Sequence, residues 1–122
     1  MASLEESFRH VLAADGVRAA ALIDIATGMI VCSGGAESEG FPAAAASLAD
    51  EVRAVRAVLG PDRPGGELEE ISLVSKGRLH LSKVLDFRSA DGMLLYVDLD
   101  RSRANIALAS RQVGQLAPAV LA

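Results

Sequence analysis

Two short stretches constrain this chain more than any others: AAALI at residues 19–23 and MLLYV at residues 93–97. Successive side chains of a β-strand point to opposite faces of its sheet. A strand that is apolar at every position therefore has to be covered on both sides. A sheet with one wet face cannot house these segments. Both runs are also far too short to cross a membrane as helices, which takes about 20 apolar residues.

The flanking sequence supplies the remaining elements. Val17–Ile25 and Met29–Ser33 read as strands, and Ala26-Thr27-Gly28 is short enough to join them as a hairpin. Glu69–Ser75, Arg78–Leu85 and Met93–Leu99 read as a meander, linked by Lys76-Gly77 and by RSADG at 88–92. Glycine in each link supplies the positive φ that tight turns need. The strands at Met29, Glu69 and Arg78 carry more polar positions and belong nearer the edges. The two strands apolar on both faces then become neighbours, which predicts an all-antiparallel order 2-1-5-4-3. The strand Glu69–Ser75 is a free edge, and free edges invite pairing with another chain.

Helices have to cover both faces of that sheet. Ser3-Leu4-Glu5-Glu6 is a capping-box pattern, followed by Leu4, Phe8, Val11 and Leu12 at amphipathic spacing and closed by Asp15-Gly16. Pro42–Leu59 is a second helix, stopped by Gly60 and followed by the loop GPDRPGG at 60–66. A third runs from about Arg103 to Leu116, with Ile106, Ala109, Val113 and Leu116 on one face and Pro118 preventing it from continuing far. The expectation is an α/β (α+β) fold: a three-layer α/β/α sandwich with one helix on one face and two on the other.

The chain has 122 residues, the size of one domain, and is read as a single domain over 1–122. At this size roughly two-thirds of the unfolded surface is buried, so neither metal nor disulfide is needed. The single cysteine, Cys32, permits no internal disulfide and fits a reducing cytosol. The net charge of −4, with Lys and Arg scattered, argues against a nucleic-acid footprint. The N-terminus carries no basic, apolar, then cleavable pattern. The expected setting is cytoplasmic, with no membrane insertion.

The second helix, FPAAAASLADEVRAVRAVLG at 41–60, raises its own question. Phe41, Ala45, Leu48, Val52, Val55 and Leu59 form one stripe for the sheet. Roughly opposite lie Ala43, Ala46, Asp50, Arg53, Ala54 and Ala57. That face nearly lacks long charged side chains, which lets a second helix approach closely. Alanine is also the best helix former and the least demanding filler of an exposed face. The sequence by itself leaves both explanations open.

Chemistry is mostly missing. CSGGAESEG at 32–40 follows a strand and precedes a helix, but it lacks the Gly-Lys-Ser/Thr ending of a phosphate loop, and Glu37 and Glu39 would repel an anion. His10, His80 and Cys32 are not spaced for a shared metal site, and each histidine reads as solvated or locally hydrogen-bonded. No Gly-x-Ser-x-Gly elbow surrounds a serine. Glu69-Glu70 and Asp98/Asp100 form carboxylate pairs only if the fold happens to align them. No catalysis, cofactor or metal is expected. Arg53, Arg56, Arg63 and Arg88 lie on helix or loop surfaces, where a solvated arginine is the first reading of each; any of them could reach a partner's transferring phosphoryl group, and nothing in the sequence separates them.

The element order and three strings resemble the Roadblock/dynein light chain family, with its profilin-like arrangement. The strings are VRAAALIDIATGMIVCSGG (17–35), ISLVSKGRLHLSKVL (71–85) and LLYVDLDRSRANIALASRQV (94–113), with ANIALAS (104–110) the most family-like. The resemblance implies a scaffold that pairs with itself or a similar fold and binds or regulates Ras-like small GTPases. Other members serve dynein motor complexes. Bacterial stand-alone members typically accompany a gliding-motility-type GTPase, some as its activator. In family dimers the third strands pair edge to edge and the central helices lie side by side. Carried onto this chain, that implies an interface of Ala43, Ala46, Ser47, Asp50, Arg53, Ala54 and Ala57 on the helix. Glu70, Ser72 and Val74 join them from the edge strand. Two other functions compete. One is a structural adaptor with no GTPase contact. The other is a small-ligand sensor, for which only Phe8, Phe41, Phe87 and Tyr96 are available as aromatic lining.

Overall fold

A computed structural model of the chain describes residues 4–36, 40–60, 62–85, 92–102 and 105–120. In order these form α1 (Leu4–Ala13), β1 (Val17–Asp24), β2 (Ile30–Gly35), α2 (Phe41–Leu59), β3 (Glu70–Val74), β4 (Arg78–Leu85), β5 (Met93–Asp100) and α3 (Ile106–Val120). The five strands make one antiparallel sheet in the order β2-β1-β5-β4-β3. The order expected from the apolar runs is the observed one.

Two cores follow from the alternation of side chains along the central strands. On one face Ala20, Leu22, Leu79, Leu81, Leu95, Val97 and Leu99 pack under Phe8 and Val11 of α1 and Ala109 and Val113 of α3. On the other, Ala19, Ala21, Ile23, Val84, Leu94 and Tyr96 pack under Phe41, Ala45 and Val52 of α2. β1 and β5 are buried on both sides, as their composition requires. Each fully buried Leu or Ile contributes roughly 1.5–3 kcal/mol relative to exposure, so these strands supply much of the stabilisation.

Differences from the sequence reading sit at element ends. The last helix is Ile106–Val120, not Arg103–Leu116. Its start is fixed by Asn105, whose Oδ1 accepts the backbone N–H groups of Ala107 at 3.0 Å and Leu108 at 3.2 Å. Pro118 lies inside it, near the end. There it removes one N–H, and the two residues that follow keep helical geometry. β2 extends to Gly35, and β1 ends at Asp24. On the α2 stripe Leu59 is 40% exposed, while Ala49 is fully buried and belongs to the inner face. Ser3, Glu37, Glu39, Phe87, Arg88 and Arg103 lie outside the described residues, as do the side chains of Leu4, Glu5, Leu116 and Pro118.

Coverage of the sheet is uneven. Five strands spaced by about 4.8 Å span roughly 19 Å between outer axes, whereas one helix is about 10 Å across. Two helices fill one face. Among the described residues α2 is the one helix on the other face, and its contacts with the sheet are mainly to β1 and β2.

Candidate interface on the half-covered face

The position of α2 is set by the β1–β2 turn. Gly28 takes φ +73°, which closes that turn with its N–H on the Asp24 carbonyl at 2.8 Å. A Cβ at Gly28 would stand 3.3 Å from the Ala46 Cα and 3.8 Å from the Ala49 Cβ. The helix backbone and the turn are thus in close approach, which small residues on both sides permit. Arg53 completes the contact. Its Nη1 donates to the Ile25 carbonyl at 2.6 Å and its Nη2 to Asp50 Oδ1 at 2.6 Å.

Ala43, Ala46, Ser47, Asp50, Arg53, Ala54 and Ala57 are all exposed on α2. Val58, at 79% exposure, continues the same surface. Ala46 and Arg53 have a second occupation within the chain, against the hairpin turn. Ala43, Ser47 and Ala54 lie further round the helix, and Ala57 continues the line of Ala46 three turns on.

The three edge-strand candidates lie elsewhere. Strand register pairs Glu70, Ser72 and Val74 with Lys83, Leu81 and Leu79, so they face the α1/α3 side of the sheet. Ser110 of α3 donates its hydroxyl to the Glu70 carboxylate at 2.8–2.9 Å, which confirms that orientation. The β3 side chains on the α2 side are Ile71, partly buried, and Leu73, 41% exposed. The ten residues expected together thus divide between two faces of the molecule. The edge itself remains common ground, because among the described residues β3 is the last strand of the sheet, paired on one side with β4.

Beside Leu73 the half-covered face carries charge. Asp98 is bound by Arg78 Nη1 on Oδ2 at 3.3 Å, and His80 Nε2 approaches Oδ1 at 3.4 Å. His80 is therefore half-buried against a carboxylate and the Tyr96 ring, a more specific setting than a solvated strand position. Burial pushes the Asp98 carboxyl up from its usual range, while His80 and Arg18 pull in the opposite direction. Burial, then the Asp98 charge, pushes the Tyr96 phenol up to about 12. Tyr96 also meets Phe41 edge to face at 5.6 Å between centroids, so both rings are spent on the core. The second carboxylate of that strand, Asp100, accepts from the Ser102 backbone N–H and hydroxyl through Oδ1.

Among the described residues, no three His, Cys, Asp or Glu side chains converge as a metal site would require. One open groove of about 470 Å³ lies between α3 and the turn after α1, lined by Asp15, Asn105, Leu108, Ala109 and Gln112, without an aromatic. Of the arginines considered for a partner's active site, Arg53 is committed to Ile25 and Asp50. Arg63 packs its Cδ and Nε beside Gly60, and Arg56 is half-buried near the end of α2.

No family model matches this chain, and no curated protein matches its sequence. Solved structures do match in shape. A Roadblock/LC7 domain from Streptomyces avermitilis superposes with TM-score 0.74 at 15% identity, over 92% of this chain and 89% of that one. Gliding protein MglB from Thermus thermophilus gives 0.74 at 16%, over 97% and 87%. MglC from Myxococcus xanthus gives 0.59 at 19%, over 93% and 96%. The element order, the strand order and the placement of one helix against two are those of the Roadblock/LC7 fold.

Proposed function

We propose that this chain is a non-catalytic, homodimeric scaffold of the Roadblock type that binds and regulates a bacterial Ras-like small GTPase in the cytoplasm. The observation that carries the reading is the half-covered α2 face beside the unpaired edge of β3. Among the described residues one helix covers this face of the five strands, and Leu73, His80 and Arg78 stand partly open. A second copy, adding its own β3 and α2, would complete both the sheet and the layer. Similarity in fold to MglB, one of whose structures is described as having a tetrameric arrangement, supports self-association. Similarity in fold to a gliding protein supports a regulatory role, and a partner of GTPase type is what the resemblance to the Roadblock/dynein light chain family implies. The paired α2 helices, with Ala43, Ser47, Ala54 and Ala57 outward, are the platform for that partner.

Ala57→Arg tests the first half, with Ala46→Arg beside it. Ala57→Arg leaves the helix intact, since arginine is a good helix former, while Ala46→Arg also meets the Gly28 turn and is scored only where circular dichroism shows it folded. Sedimentation at micromolar concentration is expected to show wild-type dimer and variant monomer, and dimeric variants overturn the interface. For the second half, affinity for the candidate GTPase is measured with GTP and with GDP bound. Preference for the GTP form is expected; equal affinity favours a structural adaptor.

A further inference from the structure

The free edge of β3 is charged unequally along its length. At its start stand Glu67 and Glu69, both exposed, with Glu70 next in the chain. Glu70 is taken up internally, by the Ser110 hydroxyl and by a register position opposite Lys83. Glu69 lies across from Val84, whose backbone N–H donates to its carbonyl at 2.8 Å, so no cation of β4 stands opposite it. The groove beside Glu67 and Glu69 also holds Asp62 and Arg63, whose charges offset. At the far end Lys76 is exposed in the turn closed by the Ser75 N–H on the Arg78 carbonyl. The neighbouring cations already have partners within the chain. Arg78 binds Asp98 and lies opposite Asp100 in register, and Arg101 donates to the Ser75 carbonyl at 2.9 Å. Among the described residues no ion pair holds Glu67, Glu69 or Lys76.

A two-fold axis perpendicular to the sheet reverses the strand of a second copy and keeps both α2 helices on one face. Wherever that axis crosses β3 between residues 71 and 73, residues 66–70 of the second copy fall opposite Lys76. Cross-strand and diagonal neighbours lie within reach of a lysine's flexible stem. Each Lys76 then meets the glutamates of the other copy, twice per dimer. A two-fold lying along the strand does the reverse. It sets Lys76 beside Lys76 and glutamate beside glutamate, which is unfavourable, and puts the α2 helices on opposite faces.

We propose that the occupant of this edge is β3 of a second copy, held antiparallel by Lys76 of each copy against Glu67 and Glu69 of the other. This rests on the dimer reading above and adds its polarity, since the charges decide which way the strands run. Charges on an edge strand also serve to repel other strands. Exchanging them separates the two roles.

The test is sedimentation equilibrium of the full chain at about 0.1 M salt, where exposed charges still act over about 10 Å. Lys76→Glu is expected to raise the dimer Kd about tenfold, because attraction turns to repulsion at two contacts. Glu69→Lys is expected to do the same. The double variant Lys76→Glu/Glu69→Lys restores an opposed pair and is expected to return Kd to within about threefold of wild type. Arg9→Glu, exposed on α1, changes the net charge as Lys76→Glu does and is expected to leave Kd unchanged. Far-UV circular dichroism confirms that the variants are folded. If Lys76→Glu associates as tightly as wild type or more tightly, or the double variant is no tighter than the single ones, the proposal is overturned and the dimer stands. A wild-type monomer overturns the dimer reading and the proposal with it.

Discussion

Removing Arg53 separates a structural role from an interface role. Its guanidinium ties α2 to the β1–β2 turn through the Ile25 carbonyl and pairs with Asp50 one helical turn earlier. A hydrogen bond from a charged donor contributes about 1.5–3 kcal/mol. The side chain is 45% exposed, so water replaces part of the contact and the lower end applies. The exposed Asp50 pair adds only about 0.3–0.5 kcal/mol, and alanine's helix propensity returns a few tenths. Arg53→Ala is therefore expected to lose about 1–2 kcal/mol, a fall of about 4–8 °C in Tm for a domain of this size. Urea and thermal unfolding at two protein concentrations measure it, since dimer dissociation makes Tm concentration-dependent. Asp50→Ala is expected to lose less than about 0.5 kcal/mol. If Arg53→Ala matches wild-type stability within error at both concentrations, the clamp on Ile25 is not a contributor. Arg53 would then be free to face a partner.

Three further outcomes are expected. Gly35 has φ +97°, and a Cβ there would meet the Ala19 Cα at 2.6 Å as well as the Arg18 carbonyl, so Gly35→Ala is expected to lose about 3 kcal/mol or more in urea unfolding. Because burial raises the Asp98 pKa in the folded chain, its ionisation costs stability as pH rises through that pKa. Asp98→Asn, which keeps an oxygen for Arg78, should gain on wild type at pH above that range and lose the advantage below the ordinary carboxylate range; unfolding curves at several pH values check the sign. Leu73→Lys, on the α2 side of β3, should dissociate the dimer more than Val74→Lys on the other side, and light scattering distinguishes them.

The sheet was legible because its central strands are extreme. AAALI and MLLYV allow one position each, and the order of the remaining strands follows by hairpin connection. The faces of β3 were not legible. EISLV is apolar at 71, 73 and 74, so alternation alone does not choose between the sets 70-72-74 and 71-73. A one-residue change of register flips every side chain, and only the pairing of Leu73 with His80 decides it. The Asn105 cap did leave a signal, an asparagine immediately before an apolar helical run. The Arg78–Asp98–His80 cluster left none, since neighbours across strands are 18 and 20 residues apart in sequence. Leu59 was read as the last residue of the inward stripe of α2, but it stands exposed there.

The alanines of α2 answer two different demands, and separating them narrows the interface. Ala45 and Ala49 are fully buried, and Ala46 lies 3.3 Å from where a Gly28 Cβ would be. A larger residue at 45 or 49 would lift the helix off the sheet and draw Arg53 away from Ile25, so the fold itself requires small side chains at these positions. No such requirement acts at Ala43, Ala54 or Ala57, which are exposed. If composition bias alone placed alanine there, lysine should be nearly as good, costing only a few tenths of a kcal/mol in helix propensity. If a second helix packs against that surface, the longer charged side chain has to be displaced or buried. Association should then fail while unfolding stability of the monomer holds. The outward alanines, not the alanine content of the helix as a whole, are what an interface has to explain.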